Sequence, residues 1–112
     1  MLRVVFYRTE SGREPVRDWL TTLTREDKKA IGADIKTVQF GWPLGMPLVR
    51  RLYRGVWEVR SVLQGRKARV LFTVQGSSIV LLHGFIKKER KTPYQDLQLA
   101  KTRAAQLGDL PE

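Results

Sequence analysis

The chain has 112 residues, a formal net charge of +10 and no cysteine, which predicts one domain of ordinary size with a single core. Without cysteine neither a disulfide framework nor a thiolate metal site can form. No stretch approaches the ~18 apolar residues of a membrane span, and the N-terminal apolar run is too short for a signal peptide, so a soluble cytoplasmic protein is expected.

The elements follow in order. "LRVVFY" (2–7) has the β-branched and aromatic content of a strand. "REPVRDWLTTL" (13–23) spaces Val16, Trp19, Leu20 and Leu23 as on a helix, with Pro15 acceptable in the first turn. "TREDKKAIGADIKTVQF" (24–40) opens on Thr24 as N-cap with Glu26 and Asp27 in its first turn, and carries Ile31, Ile35, Val38 and Phe40 as an apolar stripe. "GWPLGMP" (41–47) is a loop. "GVWEVRSVL" (55–63), "ARVLFTV" (68–74) and "SIVLLHGFI" (78–86) are strands whose short connections require antiparallel neighbours. "TPYQDLQLAKTRAAQL" (92–107) reads as a helix with Thr92 as N-cap, Pro93 at the first position and Gln95 completing a capping box. The order β-α-α-β-β-β-α predicts an α+β fold with helices on one face of a mainly antiparallel sheet, the other face partly open.

Charge is spread unevenly over these elements. Residues 1–49 hold eight Lys/Arg against six Asp/Glu, residues 50–103 hold thirteen against three, and Asp109 and Glu112 follow in the tail. Even spread would serve solubility; this asymmetry points to one face built for a polyanion, most commonly nucleic acid. Strand alternation puts Glu58, Arg60 and Arg69 on the open face, with Lys87 and Lys88 just beyond the last strand. Glu58 is open to two readings, a cross-strand ion pair with Arg60 or Arg69, or a general base or arginine orienter in a cationic site. Paired guanidinium groups suit phosphate oxygens. His83 aligns with Leu81 and Phe85, as a packed scaffold residue would.

Familiar catalytic patterns are missing. One histidine without cysteine cannot form a His/Cys metal site or a nucleophile triad. The glycines form no phosphate-binding loop, and the carboxylates no two-metal pattern. No cofactor is expected. RNA, however, can be cleaved by its own 2′-OH if a protein supplies cations for the phosphorane and groups that move protons.

Together the element order, "WEVR", "ARVLFTV" and "LLHGFIKKERKTP" resemble the RelE/ParE superfamily of type II toxins, most of all the HigB-like, phage-derived branch. The resemblance spans nearly the whole chain and is most specific over 55–103, in the pattern Leu81, His83, Gly84, Phe85, Lys87, Lys88, Lys91, Thr92, Pro93, Ala100 and Arg103. It implies a ribosome-dependent mRNA endonuclease, acting without metal and silenced by a helix-turn-helix antitoxin of the HigA kind. It implies that Arg69 contacts the scissile phosphate, that Lys88 stands where RelE has an arginine, and that Tyr94 stacks on a base or aids proton transfer. Glu58 stands where RelE has a lysine, so Glu58, Lys87 and Lys88 are all candidates for the base. Arg50, Arg51, Arg54, Arg66, Lys67, Arg90 and Lys91 are expected to meet RNA or ribosome, and 50–55 with the N-terminal helices to meet the antitoxin. The same superfamily includes ParE toxins, which inhibit DNA gyrase without cleaving anything; a plain RNA-binding module is a further alternative.

Overall fold

The computed structural model describes residues 1–88 and 90–108; Glu89 of the charge burst and the tail acids Asp109 and Glu112 lie outside them. The described elements are β1 (Arg3–Phe6), α1 (Pro15–Thr21), α2 (Arg25–Gly41), β2 (Val49–Tyr53), β3 (Val56–Leu63), β4 (Arg66–Gln75), β5 (Ser78–Ile86) and α3 (Tyr94–Leu107). The α+β class and the expected elements are present, with one strand more than alternation predicts. That strand, β2, reads "VRRLY" and buries only Val49 fully. As a charged edge strand it has little apolar pattern to betray it.

The five strands form one sheet in the order β1-β5-β4-β3-β2. β2 to β5 make an antiparallel meander, and β1 closes the other edge parallel to β5. The β3–β4 and β4–β5 turns carry Gly65 at φ 70° and Gly76 at φ 55°, the left-handed conformation that tight hairpins demand. Along β4 and β5 the register is Val70↔Gly84 and Leu71↔His83, but then Phe72↔Leu81. Leu82 is therefore an extra residue in β5, a β-bulge that changes which way the strand's side chains face.

α2 begins as its sequence predicts: the Asp27 N–H donates to Thr24 Oγ1 at 3.1 Å, and Ile31, Ile35 and Val38 are buried. Phe40 leaves that stripe and is exposed. Val16 from α1 and the α2 stripe pack on Val59, Leu63, Val70, Phe72, Ile79 and Leu81, joined by the edge-to-face and stacked rings of Trp42, Trp57 and Phe72. A second cluster on the opposite face joins Val56, Leu71, Val80 and Leu82 to Ala100 of α3. The expectation of helices on one face is corrected here. α1 and α2 cover one side and α3 crosses the other, because the central strand β5 is apolar on both faces and each face needs cover.

Gly84 is explained by that packing. A Cβ built on it would stand 2.3 Å from Trp19 Cε3, because the indole of α1 lies directly on the strand. Gly84→Ala must push the indole away and is expected to destabilise the fold by about 1–3 kcal/mol. A circular-dichroism melt should show the lowered midpoint; an unchanged midpoint would mean Trp19 moves freely.

Candidate active site

Register places the charged side chains in rows on the α3 face. Arg50, Glu58, Leu71 and His83 lie side by side across β2 to β5, and Arg60, Arg69 and Phe85 form the next row. The Lys87 N–H donates to the Lys67 carbonyl at 2.7 Å, carrying the β4–β5 ladder one step further and setting Lys87 beside Lys67. The shared face predicted for Glu58, Arg60 and Arg69 is what the strand geometry produces.

That face is not open at its centre. Glu58 is 1% exposed and Arg69 2%. Glu58 accepts from Arg60 Nη1 at Oε2 (3.0 Å) and from Thr92 Oγ1 at Oε1 (2.6 Å), while Arg69 Nε lies 3.8 Å from Oε1. Arg69 Nη1 also donates to the Ala68 carbonyl at 2.9 Å. Thr92 is thus not the cap of α3. Its hydroxyl takes the buried carboxylate instead of a helix N–H, and Pro93 occupies the N-cap position with no side-chain cap. The chain leading into α3 is tied down over Glu58, which closes the face that alternation left uncovered.

The carboxylate is outnumbered. Burial lowers the Arg69 guanidinium below the usual arginine range, helped by Arg60 and Arg50 and opposed by Glu58. Lys87 is pushed below the usual lysine range, first by desolvation and then by Arg69, Arg60 and Lys67, against the pull of Glu58. A lysine so placed gives up its proton more readily than a free one, which is how cationic neighbours prepare an amine for base or nucleophile chemistry. Arg60 keeps 23% of its side chain exposed whereas Arg69 keeps 3%. Arg60 and Lys87 can therefore touch a ligand, and Arg69 acts on them from beneath.

The other expected site residues divide. Arg66, Lys67, Lys87, Lys88 and Arg90 line an open cleft of about 350 Å³ with Gly65, none of these described lining residues being acidic. Arg66 is also ion-paired with Asp27 of α2. Arg50 is exposed and joins the Glu58 row. Arg51 pairs in register with Trp57 and so faces the α1/α2 side. Arg54 lies at the far end of the sheet, in a groove with Tyr53 and Lys101. Lys91 is exposed, and Tyr94 is 74% exposed at the first position of α3.

The contacts of three groups on this face escaped the sequence reading, although Thr92 and Arg103 stand in the family-like pattern. Thr92 is a ligand of Glu58 rather than a cap; Asp96 holds His83; and Arg103 Nη1 donates to the Leu82 carbonyl at 2.7 Å. His83 and Asp96 are separated by 13 positions, a spacing with no periodic signature. Only the polarity of Asp96 on a helix that buries little hinted at a partner.

Among the described residues no three His, Asp or Glu side chains gather as a metal-binding group, and no described helix is long and apolar enough to cross a membrane. No curated protein matches the chain. The family model for phage-derived Gp49-like proteins (DUF891) matches residues 18–105, from α1 to the last turn of α3, and so takes in every element that contributes a residue to this site. The chain belongs to that phage-derived Gp49-like family, a toxin-like RelE/Gp49 family.

Proposed function

We propose that this protein is the toxin of a type II toxin–antitoxin module of the HigB kind, a cytoplasmic, ribosome-dependent mRNA endonuclease. The observation that carries the reading is Lys87, a partly buried amine beside Lys67 at the end of the arginine rows, its proton loosened first by desolvation and then by Arg69, the accessible Arg60 and Lys67. Lys87 takes the proton from a 2′-OH; Arg60, with the buried Arg69 beneath, offsets charge on the phosphorane. Glu58 is the anchor that orients Arg60, since both its oxygens are already engaged. Tyr94 offers an exposed ring for a base, and the cleft of Arg66, Lys67, Lys88 and Arg90, with Lys91 and Arg50 nearby, suits flanking phosphates.

Among the described residues the site is an open, cation-lined cleft, which fits a substrate held in line by the ribosome. A helix-turn-helix antitoxin would silence it by covering basic surface, for which Arg51 and Arg54, away from the cluster, are available. The test is to incubate purified protein with programmed ribosomes and map mRNA 5′ ends. New ends within the ribosome-bound codon are expected. Intact mRNA, with DNA supercoiling by gyrase blocked in a parallel assay, would move the protein to the ParE-like reading.

A further inference from the structure

His83 is the one imidazole in the chain, and simple alternation would bury it beside Leu81. The bulge at Leu82 prevents this. Leu81 packs with the α1/α2 core, whereas His83 pairs with Leu71, whose side chain belongs to the α3 face. Arg103 spends its guanidinium on the carbonyl of the bulged residue itself, and burial lowers that guanidinium below the usual arginine range. A partly buried cation donating to one strand carbonyl is an expensive way to dock a helix. Its local effect is to hold the kink that turns His83 outward.

The ring is then fixed from two sides. Asp96 Oδ1 lies 2.5 Å from Nε2, and the imidazole stacks on Phe85 with centroids 5.5 Å apart and planes at 26°. The His83 and Asp96 side chains keep 18% and 24% of their surface exposed, so the ring is held without being sealed. Phe85 lies opposite Arg69, so His83 stands one row from the Arg60–Arg69 pair, a step of roughly 7 Å along a strand. Lys87 lies on the far side of the same row, and the guanidinium groups that act on it most are Arg69 and Arg60. An ionisable ring and an amine thus flank the arginines from opposite sides.

We propose that His83 is the general acid of the cleavage reaction, with Asp96 and Arg103 as positioning residues that hold its ring and its strand. This rests on the endonuclease reading above and completes it. The bond from the 2′-oxygen to phosphorus forms as that oxygen's proton passes to the Lys87 amine. The bond from phosphorus to the 5′-oxygen breaks as the imidazolium gives that oxygen a proton. The products are a 2′,3′-cyclic phosphate and a 5′-hydroxyl, and solvent restores both side chains.

A substrate that needs no acid isolates this step: programmed ribosomes carrying mRNA whose scissile 5′-oxygen is replaced by sulfur, a leaving group stable as the anion. On ordinary mRNA, His83→Gln should lose about 10²–10⁴ in single-turnover rate; on the sulfur substrate it should stay within a few-fold of wild type. Asp96→Asn should show a smaller loss with the same rescue. The described ionisable groups sharing this face include Tyr7, Arg50, Glu58, Arg60, Lys67, Arg69, Lys87, Asp96 and Arg103, and histidine alone ordinarily changes charge between about pH 5 and 8. With Lys87 as the base, wild-type cleavage of the sulfur substrate should climb as pH rises through that range, and on ordinary mRNA the need for a protonated acid should flatten the climb. That comparison needs no variant, so it decides the matter even if His83→Gln melts early. Equal losses on both substrates by variants that melt like wild type, or the same pH profile on both substrates with wild type, would overturn the assignment. Wild-type protein that cleaves neither substrate would instead overturn the endonuclease reading itself.

Discussion

Glu58→Ala is expected to cost about 3–5 kcal/mol of folding stability, the usual penalty for removing one partner of a buried ion pair. Three groups depend on this carboxylate: Arg60 and Thr92 donate to it, and the Arg69 guanidinium lies 3.8 Å away. Without it, Arg69 remains almost wholly buried beside Arg60 and Arg50 with no counter-charge among the described residues. Against a total of about 5–15 kcal/mol for a typical domain, the loss should be plain in a urea melt. Glu58→Gln keeps an acceptor for Thr92 but no charge, and should fall between wild type and alanine. This series also separates two roles. A general base would lose activity on Glu58→Gln while melting normally; an anchor loses stability first. Wild-type stability in Glu58→Ala would remove the anchor from this account.

The second large effect belongs to Lys87. Lys87→Met keeps the side chain's length and removes its amine, and should lower the rate of mRNA cleavage by about 10²–10⁴ with little change in melting. Lys87→Arg should not restore it, because an arginine keeps its proton. Arg69→Gln tests how the amine is prepared. Arg69 is the largest charge lowering Lys87, so its loss raises the lysine toward its ordinary range. Less of the amine is then neutral at a given pH, and the rising limb of the pH–rate profile moves to higher pH. A profile that stays in place, or moves to lower pH, would show that Lys87 is not the group being titrated.

Strand alternation was enough to bring Glu58, Arg60 and Arg69 onto one face, because a period of two admits only two faces. It could not show what covers that face. α3 buries only Ala100 fully and is tied to the sheet by polar contacts from Thr92, Asp96 and Arg103, whose partners lie far away in sequence. Thr92-Pro93 carries every mark of a helix start. A buried carboxylate nonetheless outbids a helix N–H for its hydroxyl, since a charged acceptor makes the stronger bond. His83 was hidden for a different reason. One inserted residue reverses the facing of everything beyond it, and "LLHGF" gives no sign of where the insertion falls. β2 was hidden by its arginines, and Gly84, legible only as part of a motif, turns out to be the seat of Trp19.

The central claim is that the RNA's own 2′-hydroxyl, set free by Lys87 among these arginines, cuts the strand. Its most direct measurement uses programmed ribosomes bearing mRNA with one 2′-deoxynucleotide at the position where cleavage is mapped. Cleavage there should disappear while the unmodified message is cut, and the ends from the unmodified message should be a 2′,3′-cyclic phosphate and a 5′-hydroxyl. Undiminished cleavage at the deoxynucleotide would contradict the account, because the attacking oxygen would then have to come from somewhere other than the RNA.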